Sequence, residues 1–578
     1  MSFNPLQQMR MKRVQPVFAH SSTFSNTNHQ FQLLNQRRSA NYHPSIWDPK
    51  FIESLSTPYT FDFDGAKLEE LKGGARRLLD SAKEDISTQL NFIDSMQRLG
   101  VAYHFEEEIG KCIRSIACWD ATCSDLYTTA LRFRLLRAHG YSISSDVFDK
   151  FRDRSTGRFL ESLGDDVLGI LSLYEASHLG KHGEEDLEEA MNFSIKHLKS
   201  SVGKLETKLA EQVQRSLEVP LHWRMSRAEA RNFIDVYSVD DARSSVLLEL
   251  AELDYNQVQS VYQKELKELA KWWRDLGFKE KLAFSRDRLM ENYLWAMGLI
   301  CEPQFSKCRK GLTKFVCILS AIDDMYDIYG SLDELESFTD AVNRWDINAM
   351  DDLPEYMRLC YLAMFNFGNE IAYDGLKEHG LNILPYIKEE WVNLCGSYLV
   401  EARWFHTGYT PTFDEYLGNA WISVGGHAAI VHAYLLLGFP ITKSSMDCFK
   451  QGSQTIYWSS LITRLSDDLG TSKAEMVRGD VAKSIQCYMI KEGVSEEQAR
   501  DHIKELINSS WRNLNEANLK NFNSKSPIVT MSLSMARTAL CIFQHGDGIG
   551  TSVGVTKDLL TSLIVTPIPM INHSIVKC

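Results

Sequence analysis

Apolar side chains recur every three or four positions along most of the chain after Trp47, which is the spacing of amphipathic helices. Three stretches carry this pattern most clearly: 68–100, 184–202 and 255–277. The first and the last of them end at a glycine, a common residue at helix C-termini. No stretch sustains the two-residue alternation of a half-buried strand, and no repeat of fixed period is present. The pattern predicts an all-α protein.

The length of the chain indicates more than one domain. A chain of 578 residues is too long for one ordinary hydrophobic core, so we expect at least two. The most suitable division lies in ELAELDYNQVQ, between Leu250 and Gln257, where one long helix is predicted to end and another to begin. We therefore divide the folded chain into residues 37–254 and 255–578.

The first 47 residues differ from the rest because they contain no Asp or Glu. They are rich in Ser, Thr, Asn and Gln, and their basic residues are Arg10, Lys12, Arg13, Arg37 and Arg38. Acid-poor leaders that carry Arg and Ser are typical of organelle transit peptides. An ordinary disordered tail is the alternative.

Composition narrows the class of protein further. The net charge of −13 argues against a nucleic-acid surface and favours cation binding. The 12 cysteines are scattered without a C-x-x-C pair, as expected for reduced thiols in an intracellular compartment. No apolar run reaches the roughly 18 residues that a membrane span needs, so we expect no membrane partner.

Pairs of adjacent aspartates are the most conspicuous polar feature. Such pairs are usually solvated or placed at helix N-termini. A proline at position 354 indicates that a helix begins just after the fourth pair, which we interpret as an N-cap. The five pairs are Asp165-Asp166, Asp240-Asp241, Asp323-Asp324, Asp351-Asp352 and Asp467-Asp468.

The third pair belongs to AIDDMYDIYG, at the end of a strongly apolar run. On an uninterrupted helix, Asp323 and Asp327 are four residues apart and share one face. We expect this helix to end at Gly330, and Ser331 with Glu334 to form a capping box for the next one. Like charges at this spacing and at a helix C-terminus are unfavourable, and Mg²⁺ would relieve the repulsion.

The fifth pair opens a second candidate metal site. In RLSDDLGTSKAE, the oxygens of Asp467, Thr471 and Glu475 project along one helix stripe. Gly470 within this helix costs about 1 kcal/mol relative to Ala, so another constraint is expected there. The two motifs together predict two metal-binding walls that face each other across one cavity.

Basic residues near these motifs fit an anionic substrate such as a diphosphate. Arg286 and Arg288 flank Asp287, Arg464 precedes Asp467 by one turn, and Lys483 follows in RGDVAKS. A surface ion-pair helix is the alternative explanation of the RDR sequence.

These motifs together resemble plant class I terpene synthases, in particular the angiosperm monoterpene group. DDMYD, DDLGTSKAE and RDR match the two metal motifs and the R-x-R motif of that family, and RRSANYHPSIW matches its tandem-arginine motif. The resemblance covers nearly everything from Arg37 onward. The chain departs from the family at Phe543, where relatives often have Tyr.

The resemblance implies a fold and a location. It implies an N-terminal helical barrel without catalytic chemistry, residues 37–254, and a C-terminal class I isoprenoid synthase domain, residues 255–578. Residues 1–36 match a plastid transit peptide, which implies the chloroplast stroma. Arg37, Arg38 and Asp547 are expected to cap the active site; a transit-processing site and a surface turn are the alternatives.

The resemblance also implies roles for individual residues. Three Mg²⁺ or Mn²⁺ ions would be held by Asp323 and Asp327 on one wall and by Asp467, Thr471 and Glu475 on the other, with Asp324 in support. The metals would bind the diphosphate, and Arg286, Arg464 and Lys483 would hold it, with Arg288 assisting. Trp295 and Tyr398 are candidates for steadying a carbocation, with core packing as the alternative for each.

One more stretch, NAWISVGGHAAIVHAY, contains two adjacent glycines that weaken a helix. By resemblance, Gly425 and Gly426 mark a helix break whose carbonyls face the substrate; close helix packing is the alternative. His427 is interpreted as a packed or solvated histidine, and no terminal base is assigned.

The function implied is a monoterpene synthase that converts geranyl diphosphate into a C10 product and diphosphate. The alternatives are a cytosolic sesquiterpene synthase that uses farnesyl diphosphate, isoprene synthase on dimethylallyl diphosphate, and a helical scaffold without activity. The only partner expected is the prenyl diphosphate, with no nucleic acid and no membrane. A monomer or weak homodimer is expected.

Overall fold

The computed structural model of the protein describes residues 37–119, 123–450, 453–521 and 527–570. The expected transit peptide, residues 1–36, lies outside the described residues. Within these ranges the chain is built from helices, with only an isolated bridge between Arg152 and Phe159. This confirms the all-α prediction.

The first helices follow an extended segment, residues 37–47, which we name the strap. The helices of this half are α1 (Pro49–Ser54), α2 (Phe61–Ser81), α3 (Ile86–Arg98), α4 (Glu106–Cys118), α5 (Leu126–Ala138), α6 (Val167–Ser177), α7 (Glu185–Ser201), α8 (Thr207–Glu218), α9 (Ser226–Ser238) and α10 (Ser245–Leu276).

The remaining helices surround a deep cavity. They are α11 (Phe278–Lys281), α12 (Leu289–Leu299), α13 (Ser306–Asp324), α14 (Leu332–Arg344), α15 (Glu355–His379), α16 (Leu384–Thr407), α17 (Phe413–Ser423), α18 (Gly426–Leu436), α19 (Lys443–Lys450), α20 (Gln454–Arg478), α21 (Ser484–Glu492), α22 (Glu496–Asn521), α23 (Pro527–Phe543) and α24 (Val555–Leu560).

Short turns of other helix types join these elements. The 3₁₀ turns are Ala82–Glu84, Ala102–His104, Ser145–Phe151, Glu161–Asp165, Val202–Lys204, Leu221–Trp223, Pro303–Phe305 and Ile347–Asp352. The π turns are Met325–Tyr329 and Thr561–Val565. We name residues 544–554, between α23 and α24, the C-terminal loop.

The helix break expected between Leu250 and Gln257 is absent, and that prediction is wrong. A single 32-residue helix, α10, runs through the segment. Its first turns, with Leu247 and Leu250, pack in an apolar cluster of the N-terminal half, and later residues such as Tyr262 and Leu266 pack around the cavity. The helix continues because its apolar stripe changes partner without an interruption in its periodicity.

The two ends of the chain cross between the halves. Trp47 of the strap, with Ile52 and Leu55 around α1, packs in the same cluster as the cavity helices. Ile568, near the other end, packs in the N-terminal cluster, and its backbone exchanges two hydrogen bonds with the Asn256 side chain, at 2.8 and 2.9 Å. The halves are therefore linked at both chain ends and through α10.

Local signals explain most helix ends. Ser331 and Glu334 form the predicted capping box at the start of α14. Gly277, Gly380 and Gly408 end α10, α15 and α16 in the left-handed conformation that glycine adopts without strain.

The N-cap assigned to Asp351-Asp352 is wrong. Both residues lie in a 3₁₀ turn, and Pro354 occupies the N-cap position of α15. A helix does begin there, as the proline indicated, but without a side-chain cap.

Within the described ranges, no helix is both long and apolar enough to cross a bilayer. Ten of the cysteines within these ranges have side chains that the structure describes, and these ten are unpaired.

Candidate active site

One cavity brings most of the predicted site residues together. Helix α13 lines it along much of its length, with apolar side chains from Leu312 to Leu319 and carboxylates from Asp323 onward. Since a helix rises 1.5 Å per residue, the apolar and acidic parts of this wall lie at different depths. The other walls come from α12, α16, α18, α20, α23, the strap and the C-terminal loop.

The first acidic wall lies where α13 ends. Asp323 and Asp327 both face the cavity, as predicted. The helix is not an uninterrupted α-helix, because a π turn follows Asp324 and closes with a 2.8 Å bond from Gly330 N to Met325 O. Such wide turns occur often at functional sites. The expected end at Gly330 is confirmed.

Asp324 supports this wall from behind, as expected. Its side chain is fully buried and accepts hydrogen bonds from the backbone N and Nε of Arg286, each at 2.9 Å. Arg286 Nη2 also lies 2.5 Å from Asp323 Oδ2. Arg286 is therefore held at the cavity by two carboxylates, and it keeps a cationic group beside Asp323.

The second wall lies on α20. Asp467, Thr471 and Glu475 all line the cavity, as their spacing predicts. The Asp467 carboxylate pairs with Arg464, and Thr471 Oγ1 donates to the Asp467 carbonyl at 3.0 Å. Oε2 of Glu475 is buried without a hydrogen-bond partner in the described structure.

Asp468 has the same supporting position as Asp324, which the sequence did not indicate. It is fully buried, lies 2.9 Å from Arg464 Nε, and accepts hydrogen bonds from Tyr416 OH at 2.9 Å and Ser484 N at 3.2 Å. In the DD pairs of these two motifs, the first aspartate faces the cavity and the second anchors an arginine.

Gly470 allows the C-terminal loop to approach α20 closely. A Cβ atom at this position would lie 3.0 Å from Gly546 O and 3.1 Å from Phe543 Cβ. This close approach is the constraint that the sequence left unidentified.

The partly buried carboxyl groups of the two walls are electrostatically unfavourable in their charged form. Burial raises the pKa of Asp467 to about 7, and it also raises the pKa values of Asp323, Asp327 and Glu475. Lys483 is buried as well, yet the facing carboxylates, Glu475 foremost, raise its pKa. A cluster of this kind favours the binding of cations.

The donor set fits hard divalent cations. Carboxylate and hydroxyl oxygens are the ligands that Mg²⁺ prefers, and the unpartnered Glu475 oxygen is available to one. Among the described residues, no three Asp, Glu, His or Cys side chains converge as one metal cluster. Each wall thus offers part of a coordination shell, as is common for Mg²⁺ sites that share ligands with a phosphate.

The strap lies over the end of the first wall. Arg38 donates to the Asp327 carbonyl at 2.9 Å and pairs with Asp480 at 2.6 Å. Arg37 makes a two-pronged contact with Glu334, both distances 2.8 Å. The two arginines therefore fasten the strap to the π turn after α13, to the start of α14 and to the segment just after α20, where a cap is expected.

The C-terminal loop closes another side of the cavity. Asp547 lines it, and its Oδ1 accepts hydrogen bonds from Ile549 N at 3.1 Å and Gly550 N at 2.6 Å. The carboxylate is therefore held within its own loop.

The structure does not support the diphosphate contact predicted for Arg288. Its side chain is fully buried outside the cavity lining, and its donors are taken by backbone carbonyls of Asp287, Ile549, Gly550 and His43. Arg286, two residues earlier, does line the cavity.

Both aromatic candidates face the cavity. Trp295 lies with its ring centre 6.1 Å from that of Phe543, and Tyr398 packs 5.5 Å from Tyr326. Phe543 also lines the cavity.

The paired glycines both break a helix and permit close packing. Gly425 has φ +76° between α17 and α18, and both glycines line the cavity. A Cβ on Gly425 would lie 2.7 Å from Leu319, and one on Gly426 2.9 Å from Ser460. His427 lies outside this cavity lining, where its Nδ1 lies 2.6 Å from a Glu390 oxygen.

Several cavity residues were not identified from the sequence. Tyr42 of the strap lines the cavity with the Arg286 guanidinium 5.2 Å from its ring centre, and Glu401 faces Lys483 at 3.5 Å. Arg478 also lines it and pairs with Asp480 at 2.9 Å. The sequence RGD, residues 478–480, could have identified Arg478, because it follows the second acidic motif closely. No feature of the sequence marks Tyr42 or Glu401 as cavity residues.

The helical fold, the two acidic walls and the cationic side chains beside them define a class of protein. It is an enzyme that binds an anionic substrate with divalent metal ions. Comparison with known families is consistent with this class. Residues 46–217 match the model of the terpene synthase N-terminal domain, and residues 274–513 match the terpene synthase family metal-binding domain.

Individual relatives match over nearly the whole chain. A trans-ocimene synthase, chloroplastic, of Litsea cubeba is 59% identical over 535 residues, 92% of this chain and 91% of its own. A crystal structure of limonene synthase with 2-fluorolinalyl diphosphate has a TM-score of 0.89 at 40% identity, over 92% of this chain and all of the other. Isoprene synthase from grey poplar, with three Mg²⁺ ions and dimethylallyl-S-thiolodiphosphate, has a TM-score of 0.83 at 43% identity, over 91% and 99%.

The chain belongs to the terpene synthase family. It is thereby a lyase that acts on a prenyl diphosphate with divalent metal ions.

Proposed function

We propose that the protein is a class I terpene synthase of the angiosperm monoterpene group, which ionises geranyl diphosphate and releases a C10 monoterpene and diphosphate. The observation that carries this proposal is one cavity with an apolar interior, two facing acidic motifs and three cationic side chains: the buried Arg464 and Lys483 and the partly buried Arg286. A relative named as an ocimene synthase supports the ten-carbon substrate.

The two acidic walls hold the metal ions in this proposal. Asp323 and Asp327 are the ligands on α13, and Asp467, Thr471 and Glu475 are those on α20. The bound divalent cations, three by analogy with the isoprene synthase complex, supply positive charge that stabilises the departing diphosphate.

The cationic side chains hold the same diphosphate. Arg286 and Arg464 are fixed by the buried aspartates Asp324 and Asp468, so their guanidinium groups are pre-organised at the cavity. Lys483 is held opposite Glu401. These contacts keep the anion in place after the allylic C–O bond breaks.

The carbocation that remains must be kept from water and steadied until it loses a proton or captures one chosen water. The strap, with Arg37, Arg38 and Tyr42, and the C-terminal loop, with Asp547, cover the cavity. The faces of Trp295 and Tyr398 stabilise positive charge, each by about 2 kcal/mol in a dry site.

The cellular setting follows from relatives named as chloroplastic and from the acid-free leader. We place the mature enzyme in the plastid stroma, with residues 1–36 as its transit peptide. Residues 37–254 form the N-terminal helical domain and 255–578 the catalytic domain. The mature enzyme is a monomer or weak dimer.

Product analysis by gas chromatography and mass spectrometry tests the proposal. The full chain is incubated with Mg²⁺ and, separately, geranyl, farnesyl or dimethylallyl diphosphate. Ten-carbon products from geranyl diphosphate are expected. Turnover confined to farnesyl or dimethylallyl diphosphate would make the enzyme a sesquiterpene or isoprene synthase instead.

The substitution Asp323→Asn tests the metal assignment. It removes a ligand charge while keeping the side-chain shape, and we expect turnover to fall about 100-fold or more. Asp333→Asn, on the exposed start of α14, serves as the control and should leave turnover unchanged. Unchanged turnover in Asp323→Asn would remove the first wall from the metal site.

A further inference from the structure

Arg288 lies where the two covers of the cavity meet. Its Nε donates to Ile549 O at 2.9 Å, and its Nη2 donates to Gly550 O at 2.8 Å and to His43 O at 3.0 Å. The first two acceptors belong to the C-terminal loop and the third to the strap. One planar cation thus binds carbonyl groups from both covers.

The next turn of α12 holds the strap again. Oε1 of Glu291, a fully buried residue, accepts a 3.1 Å hydrogen bond from Trp47 Nε1. His43 Nε2 also lies 2.7 Å from Thr551 O, so strap and loop touch directly beside the arginine. Arg288 at the N-cap of α12 and Glu291 in its first turn therefore fix the junction of the strap with the loop and the end of the strap.

Each cover contributes to the cavity itself. The strap supplies Tyr42, and the loop supplies Asp547 and Ile549. The loop also packs on Gly470, between the ligand candidates Asp467 and Thr471. A displacement of either cover would open the site to water next to the second acidic wall.

We propose that Arg288 and Glu291 are positioning residues that latch the strap to the C-terminal loop, so that the two covers seat on the active site as one unit. Arg288 acts on the covers and does not hold the diphosphate. The latch keeps water from the carbocation, and this part of the inference rests on the proposed function.

The conservative substitution Arg288→Lys tests the latch. Lysine keeps the charge but lacks the planar fork that reaches several carbonyls at once. By hydrogen–deuterium exchange, we expect the amides of 37–47 and of 544–554 to exchange about threefold faster together. In product analysis, we expect the share of water-captured alcohols to rise about fivefold, with little change in KM for geranyl diphosphate.

Arg137→Lys provides a matched control. Arg137 is another buried arginine that donates to backbone carbonyls, those of Ile143 and Leu179, but it lies in the N-terminal half. Its replacement should lower thermal stability without altering the exchange of either cover or the alcohol fraction. This separates a specific latch from general loss of packing.

Trp47→Phe tests the coupling independently and covers the case in which Arg288→Lys does not fold. It removes the strap's hydrogen bond to Glu291 and alters no loop residue, so faster exchange in 544–554 would be specific evidence of a joint cover. Unchanged loop exchange in this variant would overturn the latch. So would an Arg288→Lys enzyme with raised KM and an unchanged alcohol fraction, which would make Arg288 a diphosphate ligand.

The exchange measurement needs no substrate, so the two proposals can fail separately. If the wild-type chain turns over no prenyl diphosphate, the monoterpene proposal fails. The coupled exchange of strap and loop still decides the latch.

Discussion

Gly470 shows how a single hydrogen atom in place of a methyl group can matter. The residue has ordinary helical neighbours, so alanine should favour the helix itself by about 1 kcal/mol. The added Cβ would, however, meet Gly546 O at 3.0 Å and Phe543 Cβ at 3.1 Å. The contact is with backbone, which cannot rotate away.

We therefore expect Gly470→Ala to push the C-terminal loop off α20 and to lower kcat/KM for geranyl diphosphate about tenfold or more. Steady-state kinetics measures this directly. Gly396→Ala, on α16 with open space around it, is the control and should leave kcat/KM intact. Equal kinetics for both variants would show that the loop approach is unimportant for turnover.

For individual residues, the sequence predicted correctly those cavity residues that lie on the same helix as one another. The intervals from Asp323 to Asp327 and from Asp467 through Thr471 to Glu475 are fixed by helix geometry, so their common face could be read directly. Tyr42 and Glu401 could not be identified in this way, because they reach the cavity from segments far apart in sequence. The contacts of Arg288 could not be identified for the same reason, since its acceptors lie on the strap and the loop.

The break between α17 and α18 is the element whose geometry bears most directly on the cavity. Gly425 adopts φ +76°, and a side chain there would meet Leu319 on α13 at 2.7 Å. Leu319 itself lines the cavity. The break therefore sets both a backbone conformation and the position of a cavity side chain.

Gly425→Ala should lower the free energy of unfolding by about 2–3 kcal/mol, from left-handed backbone strain plus the contact with Leu319. It should also change the product ratio, because Leu319 must move. Chemical denaturation and product analysis measure the two effects.

Gly408→Ala isolates the backbone part of that effect. It has a similar φ of +65° with nothing near its Cβ, and should cost only about 1 kcal/mol with unchanged products. A Gly425→Ala enzyme with this same behaviour would argue against the contact with Leu319.

The sequence predicted where helices lie, but it did not predict where one helix continues, ends or changes to another helix type. Periodicity identified the segments that became α7 and most of α10, because an amphipathic stripe depends only on local spacing. The same periodicity continues through 250–257, where the stripe passes from one core to the other, so no local signal could show which core each residue joins. The π turn after Asp324 was also missed, since it follows from how α13 meets its neighbours.

One contact between the two halves of the chain requires a histidine, His222, in its neutral form. His222 Nε2 donates to Asn515 Oδ1 at 2.8 Å, while Arg537 Nη2 lies 3.4 Å from Nδ1. Burial, with the Arg537 cation adding to it, lowers the pKa of His222 to about 3. The ring must therefore stay neutral for the halves to pack.

This predicts a stability that falls in mild acid. Unfolded His222 takes up a proton below about pH 6.5, whereas the folded residue does not until about pH 3, so the unfolded state binds more protons in between. The free energy of unfolding should drop by about 2 kcal/mol from pH 6.5 to 5 through this residue and stay level above pH 6.5.

Urea unfolding at several pH values measures the effect. His222→Gln should reduce the slope on the acid side of the profile, whereas His182→Gln, an exposed position in the same half, should not. Profiles of equal slope in the two variants would place the acid sensitivity elsewhere.

The return of Ile568 to the N-terminal half constrains how the protein can be made. Its side chain packs in an apolar cluster formed by α2 to α5, α9 and the first turns of α10, and its backbone pairs with Asn256. A ribosome delivers the N-terminal helices long before residue 568. That first core therefore has one position unfilled until residue 568 has been synthesised, and the two halves complete their folding together.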